Sequence, residues 1–157
     1  MSSVISEARS HVLVAVVIVA ALCCPESYGQ IVSSFVETQQ LVDGVEGSMY
    51  GPEDILQGKG KYQFVNSGLS SVWFLARARI ENDEGDPLTD WSEVQVQVAA
   101  LSTHTGGWIV SPEEELSEAP DFVYYCHLEI WWFWVQEDQW VEETSADRKL
   151  QFWYGGR

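Results

Sequence analysis

From Ser71 to Ile80 the chain alternates with a period of two. Val72, Phe74, Ala76, Ala78 and Ile80 share one side of an extended segment, and Trp73, Leu75, Arg77 and Arg79 share the other. Glu93–Val98 repeats the pattern more simply, with Val94, Val96 and Val98 on one side and Glu93, Gln95 and Gln97 on the other. The longest alternating stretch is Phe122–Val135. One side holds Phe122, Tyr124, Cys126, Leu128, Ile130, Trp132 and Trp134, all apolar or aromatic. The other holds Val123, Tyr125, His127, Glu129, Trp131, Phe133 and Val135, polar in the middle and apolar at both ends. All three stretches predict strands whose more apolar side faces a core.

Shorter segments extend the list. Tyr62–Val65, Trp108–Val110, Trp140–Thr144 and Leu150–Tyr154 predict strands, set off by the turn formers Asn66-Ser67-Gly68, Thr105-Gly106-Gly107 and the stretch QEDQ at 136–139. Ile31–Val42 carries two signals: Ile31/Phe35 and Val32/Val36 have helical spacing, while its β-branched residues favour a strand. Asp43–Lys61, with five glycines and Pro52, predicts a long loop, and ENDEGDPLTD at 81–90 a second one. Ser111-Pro112-Glu113-Glu114 has the chemistry of a helix start, with a capping serine, proline at the first position and acids in the first turn. It predicts one short helical turn before Pro120. Seven or eight strands with almost no helix predict an all-β fold. The expectation is an antiparallel β-sandwich, immunoglobulin/fibronectin-like or jelly-roll-like, with a β-barrel as the alternative.

Two fragments carry the sandwich comparison. Ala119-Pro120-Asp121-Phe122-Val123-Tyr124-Tyr125-Cys126 resembles the immunoglobulin strand that places a tyrosine two residues before its cysteine. Phe74–Ile80 followed by Trp91-Ser92-Glu93 resembles the last two strands of a fibronectin type III module. The two imply different registers, and beyond the leader no second cysteine completes an immunoglobulin bridge. They imply the architecture, not family membership.

The N-terminal residues follow another rule. Val12–Cys24 is an unbroken apolar run that would rise about 20 Å as a helix, short of a hydrocarbon core of about 30 Å. That length suits the h-region of a secretory signal, with Ser27-Tyr28-Gly29 supplying small residues three and one before a cut. The expected organisation is a signal peptide over 1–29 and a single β domain over 30–157, secreted to the extracellular side. An uncleaved anchor is the alternative. Leu22 directly before Cys23 is too bulky for a bacterial lipoprotein signal.

Charge narrows the partners. The chain has 24 acidic and 8 basic residues, a formal net charge of −16, and the leader removes only Glu7, Glu26 and Arg9. Such a field repels nucleic-acid phosphates and anionic membranes, so a charged partner should be basic or a cation. With the leader gone, Cys126 is the sole thiol, either a small buried core residue or a site for pairing with another chain.

Candidate chemistry concentrates on the second side of 122–135. Tyr125, Trp131 and Phe133, with Trp140 beyond the turn, predict an aromatic surface for a protein or carbohydrate partner, or for another copy of the chain. The competing expectation is that a loop or the N-terminal segment covers it. A barrel lumen for a small apolar ligand is the other use such residues serve. His127 and Glu129 lie two apart on one strand face, but the bland expectation is a cross-strand pairing with Arg77 or Arg79. His127-Leu128-Glu129 resembles the His-x-Glu of zinc deaminases, yet Pro-Cys-x-x-Cys is missing. With no nucleophile elbow and no phosphate loop, the expectation is a protein that is not an enzyme. Asp83, Glu84, Asp86 and Asp90 crowd one loop, where oxygen ligands would suit a weak calcium site; the competing expectation is a solvated hairpin.

Overall fold

A computed structural model describes residues 31–116, 123–136 and 139–155, with side chains described outside 134–136 and 139–145. The leader expected at 1–29 and Phe122 lie outside the described residues. Among those residues the chain forms ten strands and no helix: β1 (Ile31–Val42), β2 (Val45–Glu46), β3 (Met49–Tyr50), β4 (Ile55–Asn66), β5 (Val72–Asn82), β6 (Ser92–Val98), β7 (Ser102–Val110), β8 (Glu114–Glu115), β9 (Tyr124–Gln136) and β10 (Gln139–Tyr154).

The strands make two sheets, β2-β1-β4-β7 with β8 also on β4, and β3-β10-β9-β5-β6. Neighbours are antiparallel except for the short β3–β10 pair. The sheets are not closed on each other, so the architecture is the sandwich and not the barrel. Their inner faces meet at a stack of Phe64 on Phe74, ring centroids 4.3 Å apart and 13° from parallel. The predicted inner rows hold. Val72, Phe74, Ala76, Ala78 and Ile80 are all buried, as are Tyr124, Cys126, Leu128 and Ile130.

Departures from the sequence expectations have local causes. β1 is a strand, with a bulge between Phe35 and Glu37 that interrupts its period. β4 begins at Ile55, inside the expected loop. Its inward row is Leu56, Gly58, Gly60, Tyr62, Phe64 and Asn66, all buried. The two glycines hide the alternation because they carry no side chain, and they sit there because the opposite sheet comes close. A Cβ on Gly58 would collide with the Cys126 side chain. Gly106 is no turn residue either: it lies inside β7 against the Tyr62 ring, where the β4–β7 register shifts. In both places glycine marks close approach, not a turn.

The helical turn expected at Ser111 is absent. The Ser111 N–H donates to the Gly58 carbonyl at 2.8 Å, and the Ser111 hydroxyl accepts from the Gly58 N–H at 2.8 Å. The serine that would have capped a helix instead links neighbouring strands, and Glu114 and Glu115 pair with Leu56 and Ile55. The two C-terminal strands are one: β10 runs unbroken beside β9 with a register shift between Thr144 and Ala146. Glu81, expected in a loop, belongs to β5 and is 1% exposed.

Candidate functional site

The outer face of the β3-β10-β9-β5-β6 sheet carries Tyr125, Trp131 and Phe133 of the residues predicted for binding. Register sets its layout in rows. Gln97, Trp73 and Phe133 form one row, and Gln95, Leu75 and Trp131 the next. Then come Glu93, Arg77, Glu129 and Asp147, followed by Arg79, His127 and Lys149, and finally Glu81, Tyr125 and Gln151. The face therefore has an apolar end, a charged belt and a second end beyond Tyr125.

The belt is tied together by short contacts. Arg77 approaches Glu129 at 2.7 Å, and the Trp131 indole N–H donates to the same carboxylate at 2.7 Å. The Arg77 guanidinium lies between two rings, 4.3 Å from the Trp91 centroid and 5.2 Å from that of Trp131. Trp91 also covers Arg79 at 4.4 Å, so one indole roofs two cations. Glu81 receives Arg79 at 2.9 Å, His127 Nδ1 at 3.0 Å and Lys149 at 2.5 Å. His127 Nε2 reaches Asp147 at 2.8 Å and Glu129 at 3.2 Å.

These contacts set the protonation of buried Glu81 and of part-buried Glu129. Burial alone would raise the Glu81 carboxyl; Lys149, His127 and Arg79 outweigh it and hold it below the ordinary carboxylate value. Glu129 behaves alike: burial is outweighed by the Trp131 N–H, Arg77 and His127. The expected pairing of Arg77 with Glu129 is present. Arg79 sits opposite His127 in the register but bonds to Glu81 two residues along its own strand. Acids and bases in the belt are thus paired across β5, β9 and β10.

The predicted binding residues separate. Trp131 and Phe133 stand at the apolar end and are half-buried; Tyr125 is half-buried at the other end, with Lys149 over its ring at 5.7 Å. Trp140 pairs with Val135 in β10, and its side chain lies outside the described residues. Two partners of the apolar end went unpredicted, Trp73 opposite Phe133 and Leu75 opposite Trp131, although the alternation of 71–80 had already put both on the outer side. Trp153 and Met49 were missed as well. Once Phe152 is inward, parity turns Trp153 outward beside Met49.

Asp83, Glu84, Asp86 and Asp90 lie in the exposed loop between β5 and β6. The Asn82 side-chain carbonyl accepts the N–H groups of Glu84 at 3.0 Å and Asp86 at 2.8 Å, and Gly85 adopts φ +88°. All four acidic residues are exposed. Among the described residues no three His, Cys, Asp or Glu side chains are grouped to hold a metal ion. Of the two fates expected for Cys126, the structure shows the buried one: the residue is fully enclosed, and burial pushes its thiol up to about 12. No described helix is long and apolar enough to cross a membrane. Compared with protein-family models and with curated proteins, the chain matches none.

Proposed function

We propose that the chain is a secreted, non-enzymatic recognition module that binds a protein or glycan partner through the outer face of its β3-β10-β9-β5-β6 sheet. One observation carries this reading: Trp73 and Leu75 of β5 stand directly opposite Phe133 and Trp131 of β9, giving four large apolar side chains, all half-buried, on an outward face. An antiparallel sheet with one face on a core ordinarily puts polar residues on the other. The charged belt supports the patch by fixing Trp131 through its N–H and through Arg77. Side chains already held in place lose little freedom on binding, which favours them as anchors. Secretion rests on the apolar run Val12–Cys24 and the small residues before Gln30.

The test is Trp73→Ala, Trp131→Ala and Phe133→Ala, each checked by thermal melting and then compared with wild type on a glycan array and against secreted proteins of the same source. Folded variants that lose one shared partner support the proposal. Variants that unfold instead show these side chains to be core, and the recognition surface is then gone.

A further inference from the structure

The strand registers gather four segments at one end of the sandwich: 43–54, 82–91, 111–116 and 153–155. β1 ends there and β4 begins there, Val42 opposite Leu56; β5 ends beside the start of β9, Asn82 opposite Tyr124; and β10 finishes there, Phe152 opposite Tyr124. Those segments hold eleven of the chain's aspartates and glutamates and not one lysine or arginine. Their field is felt locally: after burial itself, Glu114 and Asp83 push the Tyr124 hydroxyl up.

The same end bears the most exposed large aromatics among the described residues. Met49 is 64% exposed, Trp153 53% and Tyr154 42%. Met49 and Trp153 are paired across β3 and β10, and Tyr154 rests edge-on against Tyr50 with centroids 5.7 Å apart. An exposed tryptophan and methionine side by side are costly to leave in water. Among the described residues the last cation of β10, Lys149, is drawn to Glu81.

We propose that this end is a docking surface for a basic protein segment, whose apolar side chain seats on Trp153 and Met49 while its lysines or arginines meet the surrounding carboxylates. Charge complementarity chooses the partner. Phosphate-bearing polymers are repelled here, and a neutral glycan would gain nothing from the field. The site is separate from the Trp131 end of the same sheet and does not depend on it.

The test uses the full chain and three synthetic probes: a Lys/Leu amphipathic peptide, poly-lysine of equal charge, and calcium alone. The expected result is peptide binding that weakens as salt rises from about 50 to 300 mM. Trp153→Ala should weaken it roughly 30-fold. The loop variant Asp83→Lys with Glu84→Lys should slow association about 10-fold at low salt. All three positions are exposed, so the variants should keep the wild-type melt. Four outcomes overturn the proposal: no peptide binding; poly-lysine binding equally well and indifferent to Trp153→Ala; loss of the peptide with Trp131→Ala but not with Trp153→Ala; or calcium displacing the peptide while raising the melting temperature, which would make the end a cation site.

Discussion

Glu81→Gln removes one negative charge and keeps the side chain's shape. In the folded protein that carboxylate is 1% exposed and meets the cations of Arg79 and Lys149 and the His127 imidazole. Removing one member of a buried charge network typically costs about 3–5 kcal/mol, because the others are left uncompensated. Here two partners keep some water, with side-chain exposures of 20% for Arg79 and 45% for Lys149. The loss should therefore be about 2–4 kcal/mol at pH 7. Urea denaturation at pH 7 measures it. The pH dependence supplies a second check. Glu81 is held below its ordinary value in the folded state, so the unfolded chain binds the proton more readily. Its contribution is fully present above the ordinary carboxylate value and disappears as pH falls through the lowered one. The gap between wild type and Glu81→Gln should thus be widest near neutrality and close in acid. A variant within about 0.5 kcal/mol of wild type at pH 7 would refute the reasoning, as would a gap that stays the same in acid.

Other expectations are more local. Gly106→Ala and Gly107→Ala change neighbouring residues of β7 with opposite outcomes: the first drives a methyl into the Tyr62 ring and should cost about 1–3 kcal/mol, whereas the second meets nothing within 4 Å and should be neutral or mildly stabilising. Thermal melts of the pair decide it, and equal effects would contradict the packing described. Cys126 should resist iodoacetamide in the native protein and react promptly in urea, read by mass spectrometry of its peptide; equal rates in both would mean that the thiol is not enclosed. Trp91→Ala removes the roof over Arg77 and Arg79 and should lower stability by about 1–2 kcal/mol, less in high salt if the charged belt has become wetter.

Where side chains declare their side of a strand, the sequence was readable. β5 and β6, and β9 from Tyr124 to Trp132, were anticipated with the correct inner rows because apolar side chains alternate there with more polar ones. β4 and β7 were only half seen, since Gly58, Gly60 and Gly106 stand on their inner rows and a glycine gives no hydrophobic signal. Glu81 misled for the converse reason. A glutamate followed by turn formers reads as loop, and only the meeting of β5, β9 and β10 brings it Arg79, His127 and Lys149, the partners that permit burial. The apolar end was half legible as well. Trp131 and Phe133 stood out in their own strand, but their partners Leu75 and Trp73 come from 56 and 60 residues away, through a register that no local pattern contains.

The close passage of Cys126 over Gly58 has a consequence for how the backbone exchanges with water. Gly58 shares two hydrogen bonds with Ser111, and the opposing sheet seals it from above. Glycine is ordinarily the residue with the most freedom and the least shelter for its amide. At this position the amide deuteron should enter only when the two sheets part, so its exchange rate reports global opening and not local fraying. The most permissive residue type would then mark one of the slowest clocks in the molecule.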